Sequence, residues 1–208
     1  MSPETTLRSG LEALGLSVEE NRQDALLSFV GLLQRWNTTY NLTAVRSVDE
    51  MVSKHILDSL SVFEWIPPGR LLDAGSGAGL PGIPLAIVKP ELEVTTLDSA
   101  GKKVRFMNHV KRSLGLGNVN PVQARLESFE PEAKPGTVIS RAFTSLGQFV
   151  NAARHLAGED TRLLAMKGRY PDEEIEALPE WAVVRSVEKL VVPGLHEERH
   201  LVIMSVCP

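Results

Sequence analysis

The hydrophobic positions near the start of the chain recur every three or four residues, a spacing that predicts helices. Leu7, Leu11 and Leu14 share one face of a first helix. Ser2 before Pro3 supplies a capping hydroxyl and a proline at the first helical position. The chain is therefore expected to enter a helix almost at once.

Two more helices are predicted before residue 67. Ser17 with Glu20, and Ser47 with Glu50, have the spacing of a capping box and mark the expected starts. The stripes expected to be buried are Ala25, Leu26, Phe29, Leu32, Leu33 and Trp36 in one helix, and Val52, Ile56, Leu60 and Phe63 in the other. Pro-Pro-Gly at 67–69 ends the third helix, so we expect a helical extension over 1–66 and a second domain over 67–208.

From residue 70 onward, short apolar runs alternate with helical segments. The expected strands are RLLDAG, EVTTLD, NVNPVQA, TVISRAF, TRLLAMKG, WAVVRSVEKLVVP and RHLVIMSV. Such alternation is typical of right-handed β-α-β units, and the short loop between the last two runs favours an antiparallel pair at one edge. The predicted fold is α/β: a mostly parallel seven-stranded sheet with helices on both faces.

The composition limits the classes of function. Of the 208 residues, 43% are hydrophobic and 23% charged, as in an ordinary globular chain. We find neither a secretory signal nor an apolar run long enough to span a bilayer, and therefore expect a cytoplasmic protein with no membrane partner. The single cysteine, Cys207, excludes a disulfide framework, a thiolate zinc cluster and a well-placed cysteine nucleophile.

The turn after the first expected strand carries the main ligand-binding signal. In such sheets, ligands bind at the carboxyl ends of the strands, near the point where the strand order reverses. The turn reads DAGSGAGLPG, and its alternating glycines remove side chains where a ligand must approach the backbone. The ligand-binding candidates in it are Asp73, Gly75, Gly77, Gly79 and Leu80.

Two features of the turn bear on the ligand, because its glycines at 77, 79 and 82 also satisfy the dinucleotide pattern GxGxxG. Pro81 offers no amide to a pyrophosphate, and Asp73 places a carboxylate nearby, which favours a cationic sulfonium such as S-adenosylmethionine. Asp98 ends the next strand and is placed to accept ribose hydroxyls from either ligand. ATP is excluded because GxxxxGK[ST] does not occur.

Weaker candidates follow the later strands. Arg125, Leu126 and Glu127 come after the third strand, where the edge of the sheet would meet an adenine. Arg141 comes after the fourth strand, at the depth of a transferred group. Residues 196–200 read HEERH and match the zinc-protease pattern HExxH, but the flanking runs are β-like and no third ligand follows, so we expect a polar loop there.

One helix has a basic face. Its members are Lys102, Arg105, His109 and Arg112. A charged face is commonly only solvated surface, but an acidic chain of pI 5.8 needs a local positive patch to bind nucleic acid. Further cations that could complete such a patch for an RNA backbone are Arg35, Arg46, Lys54, Lys167 and Arg169.

Seven segments together resemble the RsmG family, also called glucose-inhibited division protein B. They are RWNTTYNLTAVR (35–46), KHILDSL (54–60), LLDAGSGAGLPGIPLAI (71–87), LDSAGKKVRFMNHV (97–110), PVQARLE (121–127), ISRAFTSL (139–146) and MKG (166–168). The similarity runs from about residue 20 to the HLVIM near the carboxyl terminus. The loop reads GSGAG where relatives often have GTGPG.

The resemblance implies a class I, Rossmann-like methyltransferase that acts on N7 of a guanine in the decoding-region loop of bacterial 16S rRNA. By matching position, it implies that Gly75, Leu80, Leu126, Glu127 and Arg141 contact the donor S-adenosylmethionine and that Asp98 holds its ribose. The candidates for catalytic or RNA-facing side chains in family-like segments are Asn41, His55, Arg141 and Lys167. No metal is expected.

Methylation at N7 needs no general base because that nitrogen has a free lone pair at neutral pH, so the lack of an obvious catalytic dyad is expected. Two alternatives stay open: a non-catalytic RNA-binding or ribosome-assembly factor that keeps the nucleotide pocket, and an NAD-dependent reductase. The expected partner is 16S rRNA or the small ribosomal subunit, and we expect a monomer.

Overall fold

The computed structural model describes residues 2–141 and 143–207, and within them the expected strands form one seven-stranded sheet. The strands are β1 (Arg70–Ala74), β2 (Glu93–Asp98), β3 (Val119–Gln123), β4 (Thr137–Ser140), β5 (Arg162–Lys167), β6 (Ala182–Leu190) and β7 (Arg199–Val206). Each lies within one of the runs that the sequence pattern marks. The predicted α/β fold is confirmed.

The strands lie side by side in the order β3-β2-β1-β4-β5-β7-β6. β1 to β5 are parallel, whereas β7 runs antiparallel to both β5 and β6. The order reverses between β1 and β4, because the chain first builds outward from β1 and then returns to its other side. This switch point is where a ligand is expected.

The helices cover both faces of the sheet. They are α1 (Pro3–Ala13), α2 (Glu20–Tyr40), α3 (Val48–Met51), α4 (Asp58–Leu60), α5 (Gly82–Val88), α6 (Gly101–Leu114), α7 (Leu146–Ala153) and α8 (Asp172–Glu176). A π-helical segment, Val52–Leu57, joins α3 to α4 without a break. None of these helices, within the described part of the chain, is long and apolar enough to cross a membrane.

Helix starts show where local signals succeed and fail. Ser2 caps α1 as predicted, since its hydroxyl accepts a hydrogen bond from the Thr5 amide at 3.3 Å. The start predicted at Ser17 is wrong: α2 begins at Glu20, because Glu19 is extended and the Gln23 side chain donates to the Val18 carbonyl instead.

The third predicted helix starts correctly but is built differently inside. Ser47 is at its capping position, although the side chain makes no capping hydrogen bond. The wider π turn that follows was not predicted. In the expected stripes, Ala25, Trp36 and Phe63 are only half-buried, while the other members are buried.

The helical extension and the sheet share one hydrophobic core. Phe29 of α2 and Phe106 of α6 have no exposed surface and belong to the same buried cluster as Leu71 of β1. Leu72, next along β1, faces the other side of the sheet and packs in the cluster around Phe149 of α7. The boundary at 66–67 stays a prediction about chain organisation, and the packing is continuous across it.

Candidate active site

The loop between β1 and α5 folds back onto the end of β2. The amides of Gly75 and Ser76 both donate to the carbonyl oxygen of Leu97, at 2.8 and 2.9 Å. Gly75, Gly77 and Gly79 have φ angles of 71°, 61° and 86°, which lie in the left-handed region that glycine adopts without strain. The loop is therefore a tight turn that requires its glycines.

The glycines differ in what an added side chain would meet. A Cβ on Gly77 would have no heavy atom within 4 Å. A Cβ on Gly79 would collide with the side chain of Ile83, and one on Gly82 would lie 2.7 Å from Asp73 Oδ2. Gly77 thus leaves open space for a ligand, whereas Gly79 and Gly82 permit close packing inside the protein.

Asp73 lies beneath the loop. The residue is fully buried, and its Oδ2 accepts a hydrogen bond from the Gly82 amide at 2.8 Å. Oδ1 has no hydrogen-bond partner in the described part of the chain, and burial raises the pKa of the carboxyl group to about 7. Asp73 shapes the loop from inside, so its predicted contact with a ligand stays a prediction.

Asp98, at the end of β2, also holds the loop. Oδ2 accepts from the Gly77 amide at 3.0 Å and from Lys103 Nζ at 3.2 Å, while Oδ1 accepts from the Ala100 amide at 2.9 Å. A carboxylate so placed can exchange Lys103 for ribose hydroxyls, since that lysine is on a flexible stem. The sequence predicted Asp98 but not its partner Lys103.

A cavity of about 190 Å³ opens at this loop. We call it the loop cavity. It brings together five residues predicted from the sequence, which are Gly75, Gly77, Leu80, His55 and Arg141. The rest of its lining is Leu42, Thr43, Ser76, Ala78 and Lys103. Residues far apart along the chain therefore meet at the predicted switch point.

A second cavity, of about 380 Å³, adjoins the first. We call it the arginine cavity. Its lining is Val45, Lys54, His55, Asp58, Arg141, Met166, Lys167, Gly168 and Arg199. His55 and Arg141 line both cavities, so the two meet at these side chains. A larger groove of about 680 Å³ lies at the amino ends of β1 to β3 and contains none of the predicted site residues.

Asp58 binds two arginines at once. Its Oδ2 accepts from Arg141 Nη1 at 2.8 Å, and its Oδ1 accepts from Arg199 Nε at 2.9 Å. The Asp58 side chain is 2% exposed, against 27% and 20% for the two arginines. A buried carboxylate on the helical extension thus fixes two guanidinium groups that belong to the sheet.

His55 is held in its neutral form. Its Nδ1 lies 3.0 Å from the Lys54 carbonyl oxygen and so carries the proton, which leaves Nε2 to accept from the Thr43 hydroxyl at 2.8 Å. Burial and, next in size, the charge of Arg141 lower the pKa of the imidazole to about 4. At neutral pH this ring is a hydrogen-bonding group without charge.

Lys167 and Asn41 differ in position. Lys167 lines the arginine cavity, where its ammonium group lies 2.8 Å from Glu174 Oε1. Asn41 ends α2 in the left-handed conformation, is exposed and accepts from Arg46 through its side-chain oxygen at 3.0 Å. Asn41 lines neither cavity, so its predicted role toward RNA stays a prediction.

The residues after β3 stand apart from both cavities. Arg125 and Glu127 are exposed, while Leu126 is buried in a short 3-10 turn, Leu126–Ser128. None of the three lines either cavity. Their predicted contact with a donor stays a prediction. Ala142, part of the segment expected after β4, lies outside the described residues.

The HEERH segment is not a helical metal motif. His196 is exposed in a loop, whereas His200 is buried on β7. Arg199, between them, reaches the arginine cavity and binds Asp58.

Sequence reasoning therefore missed Asp58 and Arg199. The sequence did offer a signal for Asp58. In KHILDSL this carboxylate comes four positions after Lys54 and three after His55, a spacing that places all three on one face of a helix.

Comparison with known proteins identifies the family. The family described as GidB, rRNA small subunit methyltransferase G, matches residues 22–202. The chain belongs to this family. "Ribosomal RNA small subunit methyltransferase G" of Pseudomonas aeruginosa (strain LESB58) is 50% identical over 95% of this chain and 93% of its own length. The protein of the same name from Escherichia coli O17:K52:H18 is 48% identical, with 96% of each chain covered.

Solved structures of other proteins share the fold of this chain. A SAM dependent methyltransferase from Aquifex aeolicus superposes with a TM-score of 0.54 at 18% identity, over 73% of this chain and 91% of that one. At such low identity, the likeness concerns the fold alone. The resemblance drawn from the sequence segments, and the Rossmann-like class expected from it, are confirmed.

Because Asp58 pairs with two arginines, the contribution of its charge to the stability of the fold can be measured. Asp58→Asn keeps the shape of the side chain but leaves two guanidinium groups facing a neutral amide, so we expect the free energy of unfolding to fall by about 1.5–3 kcal/mol. Urea denaturation at neutral pH measures it. The control is Glu50→Gln, which breaks the exposed pair with Lys54 at 3.1 Å and is expected to change stability by less than about 1 kcal/mol. Equal stability of Asp58→Asn and the wild type would contradict the assignment.

The raised pKa of Asp73 predicts a pH dependence. The folded chain keeps a proton on this carboxyl up to about pH 7, whereas the unfolded chain releases it near 3.8, so its contribution to stability falls as pH rises through this range. Asp73→Asn removes the titration, and its amide oxygen can still accept from the Gly82 amide. As pH rises from 5 to 8, we expect the free energy of unfolding of the variant, measured with urea, to increase by more than about 1 kcal/mol relative to that of the wild type. Exposed Asp24→Asn is the control, and parallel pH curves for wild type and Asp73→Asn would disprove the buried titration.

Proposed function

We propose that this chain methylates N7 of a guanine in small-subunit ribosomal RNA, with S-adenosylmethionine as methyl donor. The names of its relatives support an rRNA substrate. The observation that carries the proposal is the meeting of two cavities at His55 and Arg141, one formed by a glycine loop and the other lined by cations. This arrangement suits a donor and a nucleotide that must touch.

The loop cavity suits S-adenosylmethionine better than a coenzyme that carries a pyrophosphate. Gly77 leaves open space, and Asp98 stands at the end of β2, from where a carboxylate can hold ribose hydroxyls. A pyrophosphate needs free amides at the start of α5, but Pro81 has none and the Gly82 amide is bound to Asp73. When bound, S-adenosylmethionine supplies a methyl group on a positively charged sulfur.

The state of His55 supports a reaction that removes no proton. Its ring is neutral, its Nδ1 proton points at a backbone carbonyl and its other nitrogen is occupied by the Thr43 hydroxyl. Guanine N7 has a free lone pair, so its methylation requires no general base. The contribution of the chain is then to hold the reacting groups in place, an effect that can supply about 7–11 kcal/mol.

The arginine cavity offers cations for the substrate nucleotide. Guanidinium groups pair with phosphates and with guanine O6, the acceptor beside N7. Arg141 and Arg199 are pre-positioned by Asp58, and Lys54 and Lys167 complete the lining. Because Arg141 also lines the loop cavity, it is the side chain that we assign to both substrates.

We propose that the enzyme acts as a monomer. Action on ribosomal RNA implies a cytoplasmic enzyme.

Methyl transfer tests the proposal directly. Small ribosomal subunits from cells that lack this enzyme are incubated with the chain and S-adenosylmethionine labelled in the methyl group, and the labelled nucleotide is mapped. We expect one labelled guanine whose strand breaks after borohydride and aniline treatment, since that treatment cleaves at N7-methylguanosine. Tight binding without transfer would favour the RNA-binding or assembly factor, and label on another atom would contradict the N7 assignment.

Gly77→Asp tests the donor cavity. The new side chain would project into the open space at the loop, so we expect calorimetry to detect no binding of S-adenosylmethionine. Gly15→Asp is the matched control, because Gly15 also has a left-handed φ (69°) and open space around it but lies after α1. Normal donor affinity in Gly77→Asp, or equal loss in both variants, would show that the site is wrongly assigned.

A further inference from the structure

Two segments that lie side by side in the fold contain no acidic residue. They are residues 25–48 and residues 99–126. Together they hold eight of the 22 Lys and Arg residues and none of the 26 Asp and Glu residues. Their combined charge is therefore +8 in a chain whose net charge is −4. Solvated surfaces normally mix charges of both signs.

The fold brings the two segments together. The Trp36 ring of α2 lies between the rings of Tyr40, also on α2, and His109, on α6. The centroid of Trp36 is 5.1 Å from that of Tyr40 and 5.2 Å from that of His109. Phe106 of α6 contacts the same indole at 5.6 Å, and Lys102 Nζ donates to the Tyr40 carbonyl at 2.9 Å. The acid-free parts of α2 and α6 thus form one continuous surface.

The positive charges of this surface are not neutralised by carboxylates. We call it the α2–α6 surface and define it by its exposed members Arg35, Arg46, Lys102, Arg105 and Arg112. Over residues 2–141 and 143–207, none of these five forms an ion pair with a carboxylate. Lys102, Arg105 and Arg112 are three and seven positions apart and share one side of α6.

The α2–α6 surface begins at the loop cavity. Leu42 and Thr43, just after α2, line that cavity, and Lys102 at the start of α6 reaches the Tyr40 carbonyl just before them. From Lys102 to Arg112, α6 extends for about 15 Å at 1.5 Å per residue. A polyanion lying along this surface would therefore lead directly to the opening of the site.

We propose that the α2–α6 surface binds the phosphate backbone of the substrate RNA beside the target nucleotide. This inference rests on the proposed function, since it assigns the surface that holds the RNA while the cavities hold the reacting groups. The absence of carboxylates matches a phosphate backbone, whereas an acidic protein segment would be an outcome of the test below. Each phosphate contact made by such a surface releases counterions and makes binding depend on salt.

The test removes three charges from the surface. In the triple variant Arg35→Gln, Arg105→Gln and Arg112→Gln, we expect the affinity for unmodified small subunits to fall at least about tenfold at moderate salt. The slope of log affinity against log salt should become shallower by about 2, since each lost phosphate contact removes about 0.7–0.9. In methyl transfer, the loss should appear in KM for the small subunits.

The matched control removes three charges elsewhere. Arg8, Lys134 and Arg162 are exposed and lie outside the α2–α6 surface and both cavities, so Arg8→Gln, Lys134→Gln and Arg162→Gln together are expected to keep the wild-type salt slope. Affinity for S-adenosylmethionine, measured on both variants, reports whether the site is folded. An unchanged slope in the first variant, or an equal change in both, would overturn the proposal.

The same experiment separates this inference from the proposed function. If the wild type transfers methyl groups to the small subunit but the α2–α6 variant binds RNA normally, only the surface assignment is wrong. If the wild type transfers no methyl group, the proposed function is wrong. Weakened binding of an acidic peptide, with RNA affinity unchanged, would assign the surface to a protein partner and also overturn the proposal.

Discussion

Hydrogen bonds from the β1–α5 loop to the end of β2 determine the shape of the candidate active site. The Leu97 carbonyl accepts from two consecutive loop amides, and the Asp98 carboxylate accepts from the Gly77 amide. Such a turn requires left-handed backbone at alternate positions, which only glycine provides without strain. The opening at Gly77 follows from this turn. The shape of the loop cavity is thus a consequence of how two parallel strands end.

The helical extension completes the site that the sheet begins. It contributes Thr43, His55 and Asp58, while the sheet contributes Arg141 and Arg199. Removing a carboxylate from water is unfavourable unless it is paired, and Asp58 is paired twice. The extension must therefore pack against the sheet for either arginine to be held. The shared hydrophobic core ensures this packing, so the two expected domains build one site.

The two acidic residues at the glycine loop are both buried but have different hydrogen-bond partners. Burial raises the pKa of the Asp73 carboxyl group, and one of its oxygens accepts a hydrogen bond from the Gly82 amide. Asp98 lies at the carboxyl end of β2, where its carboxylate accepts hydrogen bonds from Lys103 and from two backbone amides. The sequence places both carboxylates near the loop. Only packing decides that Asp73 keeps one oxygen without a partner while Asp98 is paired with Lys103.

Strand positions and the glycine loop were predictable from the sequence because each depends on a local pattern. The starts of α1 and α3 were predictable for the same reason, whereas Ser17 failed since Gln23 and an extended Glu19 override its capping signal. The π-helical segment depends on packing and has no local signature. Asp58 and Arg199 are 141 positions apart, so no local pattern could reveal their pairing.

We expect S-adenosylmethionine to bind at the glycine loop. Titration of the isotope-labelled chain with S-adenosylmethionine, followed through backbone amide resonances, tests this expectation most directly. The amide signals of Gly75, Gly77 and Ala100 should shift as the donor is added, and NADH should leave them unchanged. Shifts confined to the groove at the amino ends of β1 to β3, or shifts of the loop amides caused by NADH, would contradict it.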